Sequence, residues 1–211
     1  MLQHMDKKDL RKRLIGVLAG VLFMGFGISW LVPCNFGTDG FTALNLAIAD
    51  KLGWTFGNWQ AAENVVMFII VLWLDRKLIG IGTLANMILV GYFCDFCSWI
   101  WGMLLPANFF EPMWIRIVVA IPALLIFVLG AALYMVMELG TSPYDALPFI
   151  IHKRLGKFSF RAVRMTYDLT VIVLGYFSGV PFAIATLMMA FLLGPSVEYV
   201  GKKIKPFFEG K

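Results

Sequence analysis

GTDGFTAL at Gly37–Leu44 and GTSPYDAL at Gly140–Leu147 stand 103 positions apart, and the same offset carries well beyond the phrase itself. Leu22 pairs with Leu125, Gly27 with Gly130, Leu52 with Leu155 and Gly53 with Gly156; further on, Thr83-Leu84 matches Thr186-Leu187 and Gly91 matches Gly194. Between Thr55 and Ile70 the register slips by one, so that Gln60 and Asn64 stand opposite Arg164 and Asp168. One inserted loop residue accounts for the slip. The chain reads as one unit written twice.

Each unit is apolar. Of 211 residues 60% are hydrophobic and 15% charged, against roughly 25% charged in soluble domains. Six runs fit a hydrocarbon core about 30 Å thick: about Leu14–Val32, Ala61–Leu74, Leu78–Trp101, Met113–Val136, Val163–Phe177 and Pro181–Val200. The expected fold is an all-α polytopic membrane protein with six transmembrane helices. Residues 14–102 form the first three-span repeat and 113–200 the second, between a basic N-terminus at 1–13 and a basic tail at 201–211.

Charge sets the orientation. Sixteen of the 18 Lys and Arg residues flank the start of the first and fifth spans and the ends of the second and sixth; only Lys51 and Arg116 fall on the other side. Basic residues prefer cytoplasmic loops, which places both termini in the cytoplasm. The net charge of +5 is thereby explained without nucleic acid. Three spans per unit is an odd number, so the second unit enters from the opposite face. Such inverted repeats are the architecture of many secondary transporters.

The repeated phrase then acquires a physical reading. Val136–Gly140 gives roughly 16 Å of extended chain, enough to reach mid-bilayer from the end of the fourth span. A helix over Thr141–His152 climbs about 18 Å back to its own surface. Thr38–Ala49 mirrors it from the other face. Thr38 or Asp39 and Thr141 or Ser142 are good N-caps, Pro143 suits a first helical turn, and Gly53 and Gly156 suit the ends. Re-entrant and interfacial half-helices both fit this pattern. If they re-enter, two helix N-termini with partial positive charge face each other near the centre, an arrangement suited to an anion or carboxylate.

The candidate binding residues are therefore Gly37, Thr38, Asp39, Gly140, Thr141, Ser142 and Asp145, with Asn86 lining the same space. Ionisable groups inside a bilayer are costly and mark sites by default. Asp95, Glu198 and Asp168 are the candidates for ion coupling; Asp95 and Glu198 share a repeat position, and Asp168 lies four residues after Arg164, where the two neutralise each other on one helix face. Cys94 and Cys97 form a C-x-x-C whose repeat counterparts are Val197 and Val200, which argues against a redox pair. His4 and His152 lack a ligand set for a metal, and no hydrolase or phosphate-binding motif is present. Neither an enzyme nor a cofactor is expected.

GTSPYDAL with its following Gly156, together with GIGTLANMILVGYFCDF at Gly80–Phe96, resembles the YczE/YitT-type bacterial membrane proteins over nearly the whole chain. The resemblance implies a multi-pass protein of the bacterial inner membrane and supplies no activity. The functional expectation rests on the site: a small secondary transporter or permease, an anionic organic solute favoured, with a non-transporting scaffold as the alternative. Its partners are the bilayer and the solute, with a homo-oligomer left open. The charge pattern makes one direct prediction. A fluorescent protein fused after Lys211 should fluoresce and alkaline phosphatase fused at Asn108 should be active; phosphatase activity at the C-terminus would invert the topology.

Overall fold

A computed structural model describes residues 7–179 and 184–209, and the regular structure within them is helical. The helices are α1 (Lys7–Cys34), α2 (Gly40–Leu52), α3 (Phe56–Asp75), α4 (Ile81–Leu104), α5 (Met113–Val136), α6 (Pro143–Leu155), α7 (Phe160–Phe177) and α8 (Ile184–Glu209), with a 3₁₀ turn at Arg76–Leu78. Among the described residues three helices, α1, α4 and α5, are long and apolar enough to cross a membrane. Sequence alone expected six. α3 and α7 differ because their inward faces carry Gln60 and Asn64 or Arg164 and Asp168. The expected tail at 201–211 continues α8 as helix to Glu209, and the expected sixth span starts at 181–183, outside the described residues.

The spacing of 103 recurs in the backbone. Asn35 and Glu138, both just past the end of a long helix, take φ of 54° and 53°; Gly37 and Gly140 take 100° and 113°; Gly53 and Gly156 take 65° and 63°. Asp39 and Ser142 are N-caps of 13-residue helices, α2 and α6. Thr55 and Ser159 cap α3 and α7, one residue off that spacing, where the sequence inserts its extra residue.

At the centre α1 crosses α5 antiparallel, backbone against backbone. A methyl group on Gly20 would lie 2.7 Å from the Gly130 carbonyl oxygen, one on Gly130 would lie 2.6 Å from the Gly20 carbonyl oxygen, and one on Gly27 would lie 2.9 Å from that of Ala123. Positions 20 and 27 correspond to 123 and 130, so the contact is reciprocal. Val17, Val21, Met24, Ile28, Phe127 and Tyr134 fill the core around it. The other face of α1 meets α4 at Gly25, where a methyl would sit 2.7 Å from the Val90 carbonyl oxygen.

The ends of the crossed helices are held in the same reciprocal way. Arg13 Nη1 donates to the Met137 carbonyl at 3.0 Å, and Arg116 Nε donates to the Cys34 carbonyl at 2.6 Å. Arg13 corresponds to Arg116, and Cys34 to Met137. α1 and α5 each thus have one carbonyl at the C-terminal end, where intrahelical partners are lacking, satisfied by the opposite half.

After these ends the chain doubles back. α6 begins beside α2, where the rings of Tyr144 and Phe41 stack at 4.1 Å, and its last turn reaches Asp75 at the end of α3, to which Lys153 Nζ donates at 2.8 Å. That hydrogen bond, with one from the Lys77 backbone, holds the half-buried Asp75 carboxyl below its ordinary pKa. Ala146 and Ile150 pack on Val71 along the way. The crossing predicts that Gly20→Ala lowers stability by about 1–3 kcal/mol through overpacking, read as a lower unfolding temperature in detergent. Gly102→Ala, with nothing within 4 Å of its added carbon, should not lower that temperature, since alanine also favours the helix.

Candidate functional site

The starts of the two short helices are built from their own side chains. Ser142 Oγ accepts from Asp145 N at 3.1 Å and donates to Asp145 Oδ2 at 2.7 Å. Pro143 occupies the first turn, where no backbone donor is needed. Asp39 Oδ1 accepts from Thr42 N at 3.1 Å. Each start is therefore occupied by a carboxylate of the chain, Asp39 or Asp145, placed where a helix dipole favours negative charge.

α7 supplies the counter-charge. Arg164 Nη1 donates to Asp145 Oδ1 at 2.6 Å and Nε to Asp168 Oδ2 at 2.9 Å. Its guanidinium lies 5.3 Å from the centre of the Tyr144 ring, and the Tyr144 hydroxyl donates to Asp168 Oδ1 at 2.6 Å. Tyr144 touches Tyr167 as well, with centroids 4.9 Å apart. A planar guanidinium with five donors can bridge two carboxylates and still lie on a ring, which an ammonium cannot do as well. α6 and α7 are thereby locked together.

More acid surrounds this lock than base. Asp39 lies within electrostatic range of Asp145 and Asp168, and Glu63 within range of Tyr167. One oxygen each of Asp39, Glu63, Gln60 and Asn64 is buried without a hydrogen-bond partner among the described residues. These four residues come from the first half, and four of the unpaired atoms are acceptors. Gln60 and Asn64 are the neutral counterparts of Arg164 and Asp168.

The structure distributes the remaining candidates unevenly. Thr141 donates through N and Oγ to the Leu78 carbonyl, at 3.0 and 3.3 Å, and its own carbonyl accepts from Thr83 Oγ at 2.8 Å. Gly140 lies against Gly80, where a methyl would come within 2.5 Å of Gly80 N. Thr38 is buried, its hydroxyl 3.4 Å from the Asp39 carbonyl, and Gly37 lines a cavity with it. Asn86 is buried on α4, one turn beyond Thr83. The three ion-coupling candidates separate: Asp168 joins the lock, Asp95 accepts from Gly57 N at 2.8 Å near the start of α3, and exposed Glu198 pairs with Lys202 at 2.6 Å.

Sequence reasoning paired Arg164 with Asp168 alone and missed Arg164 as a bridge to Asp145. Tyr144 and Tyr167 were missed too. The signal for Tyr144 was its place in the repeated phrase opposite Phe41, at the two helix starts. Removing the bridge should be costly: Arg164→Met strands two carboxylates, and loss of about 3 kcal/mol is expected. Adding Asp145→Asn and Asp168→Asn to Arg164→Met should restore part of the lost unfolding temperature; no recovery would mean that the charges are not coupled.

Residues 11–202 match the model of a family of unknown function, DUF6198. The chain is 26% identical over 189 residues to the uncharacterized membrane protein YczE of Bacillus subtilis, covering 89% of this chain and 85% of that one. It is also 26% identical over 184 residues to an uncharacterized protein of Haemophilus influenzae, covering 87% and 80%. A third relative, the uncharacterized protein YyaS of Bacillus subtilis, is 26% identical over 180 residues, covering 83% and 85%. No solved structure matches the chain.

Proposed function

Because the chain belongs to DUF6198, a family of unknown function and of YczE type, its activity has to be read from its own site, and we propose that it is a small secondary transporter or permease of the bacterial inner membrane. In this reading the helices form six spans in two inverted three-helix repeats, with both termini cytoplasmic, and α2 and α6 are re-entrant half-helices. The reciprocal crossing of α1 and α5 and the doubling back after Cys34 and Met137 support it. Non-helical backbone at membrane depth survives only where protein or a wet cavity satisfies it. The hydrogen bonds at Thr141 and the two arginine-held helix ends meet that requirement.

One observation carries the reading: two half-helices start against each other at Phe41 and Tyr144, with an arginine-bridged acid pair beside them. Such meeting points of broken helices hold substrate in known transporter folds.

The charge balance revises the substrate class. Asp145 and Asp168 share one Arg164, with Asp39 in electrostatic range of both, so the site favours a small organic cation, or a proton exchanged for it, over the anion that bare helix starts would attract. In proteoliposomes, uptake of choline as the probe cation is expected, and Asp39→Asn, which keeps the N-cap, should cut it about tenfold, or 1.4 kcal/mol. Uptake of succinate in place of choline would restore the anionic class. Flux of neither would leave a membrane scaffold.

A further inference from the structure

The register that sets Gln60 opposite Arg164 and Asn64 opposite Asp168 also sets Glu63 opposite Tyr167. Residues three and four apart share one face of a helix. In the second half that face of α7 carries a cation and an anion that neutralise each other, Arg164 Nε donating to Asp168 Oδ2 at 2.9 Å. In the first half the same face of α3 carries one carboxylate and two amides. No salt bridge among the described residues reaches Glu63.

The amides do not supply what that carboxylate lacks. Gln60 and Asn64 are 5% and 1% exposed. Asn64 Nδ2 donates to the Gln60 carbonyl of its own helix at 2.9 Å, which leaves Oδ1 as the open end of the side chain. Gln60 Oε1 lies over α4 at Gly91, where an added methyl would stand 2.5 Å from it. Glu63 is in electrostatic range of Tyr167, about three turns before α7 ends at Phe177. Among the described residues Gln60 Oε1, Glu63 Oε2 and Asn64 Oδ1 are all buried, and none accepts a hydrogen bond.

A buried acceptor left unpaired costs about 1–3 kcal/mol, and three of them on one helix face call for a common partner. A water molecule brings two donors and no charge, so one oxygen and the negative charge would stay unanswered. Carboxylate and amide oxygens suit hard cations, and one carboxylate with two neutral amides balances a single positive charge. We propose that α3 holds a monovalent alkali cation, sodium in the first instance, between Gln60 Oε1, Glu63 Oε2 and Asn64 Oδ1. The ion supplies in the first half the positive charge that Arg164 supplies in the second. The site stands on its own coordination chemistry; its use as a coupling ion rests on the transporter reading.

Binding of radioactive sodium to the purified full chain in detergent, counted by scintillation proximity against excess unlabelled sodium chloride, tests the site without assuming a solute. Saturable binding of a single ion per chain is expected. Glu63→Gln and Asn64→Leu should each weaken it by about tenfold, through loss of the charge or of a ligand oxygen. Glu111→Gln, which alters an exposed carboxylate elsewhere, should bind as the parent does. Gln60→Met keeps the shape of the side chain and removes its amide; it should also weaken binding, and it decides the matter if either of the other two variants fails to fold. Absence of saturable binding by the parent overturns the inference, as does parental affinity in folded Glu63→Gln and Gln60→Met. Proteoliposomes separate the two readings. Sodium binding by a chain that moves neither choline nor succinate keeps the site and rejects transport, whereas choline uptake by a chain that binds no sodium keeps transport and rejects the site.

Discussion

Everything in this fold depends on the approach of two backbones where Gly20 meets Gly130. In a bilayer, lipid tails are as apolar as leucine, and helices associate through close van der Waals contact and hydrogen bonds rather than by escaping water. Missing side chains at Gly20, Gly27 and Gly130 let α1 and α5 touch along their main chains. That contact fixes their separation. It also puts Arg13 beside the end of α5 and Arg116 beside the end of α1, and so determines where each chain turns inward and where each short helix begins.

The polar centre follows from those turns. Two helix starts brought together need negative charge, which Asp39 provides at the cap of α2 and Asp145 in the first turn of α6; carboxylates away from water need a cation, which Arg164 provides. The second half is nearly self-sufficient, because Ser142, Tyr144, Asp145, Arg164 and Asp168 satisfy one another. The first half is not. Its Gln60 and Asn64 replace the charged pair, and acceptors are left unpaired there. The two units are thus related without being equivalent in charge.

Much of this was legible in the sequence, and the failures have identifiable causes. The repeat, the capped helix starts and the closing glycines were visible because each is local: Ser142-Pro143 and Gly156 carry their conformations with them. Three of the six apolar runs read from the sequence are long, apolar helices among the described residues, and those at α3 and α7 carry polar faces that the run alone did not display. The Arg164–Asp168 pair was visible at a spacing of four, but its link to Asp145 joins two helices and needs the tertiary fold. Arg13 and Arg116 were 103 apart from the beginning, yet were read only as topological charge and as its exception. An anion was expected because helix N-termini attract one; that Asp145, in the first turn of α6, is held by Arg164 of another helix needs the tertiary fold.

The reciprocal arginines also order the assembly of the molecule. The carbonyl of Cys34 is satisfied by Arg116, which lies 82 positions later in the chain, while that of Met137 is satisfied by Arg13, which precedes it. A chain made from its N-terminus completes α1 through α4 before Arg116 exists, so the turn after Cys34 waits for a donor from the half still to come. The second turn finds its donor already in place. The N-terminal half is therefore finished last, and two halves synthesised as separate polypeptides would each lack the side chain that ends their first helix.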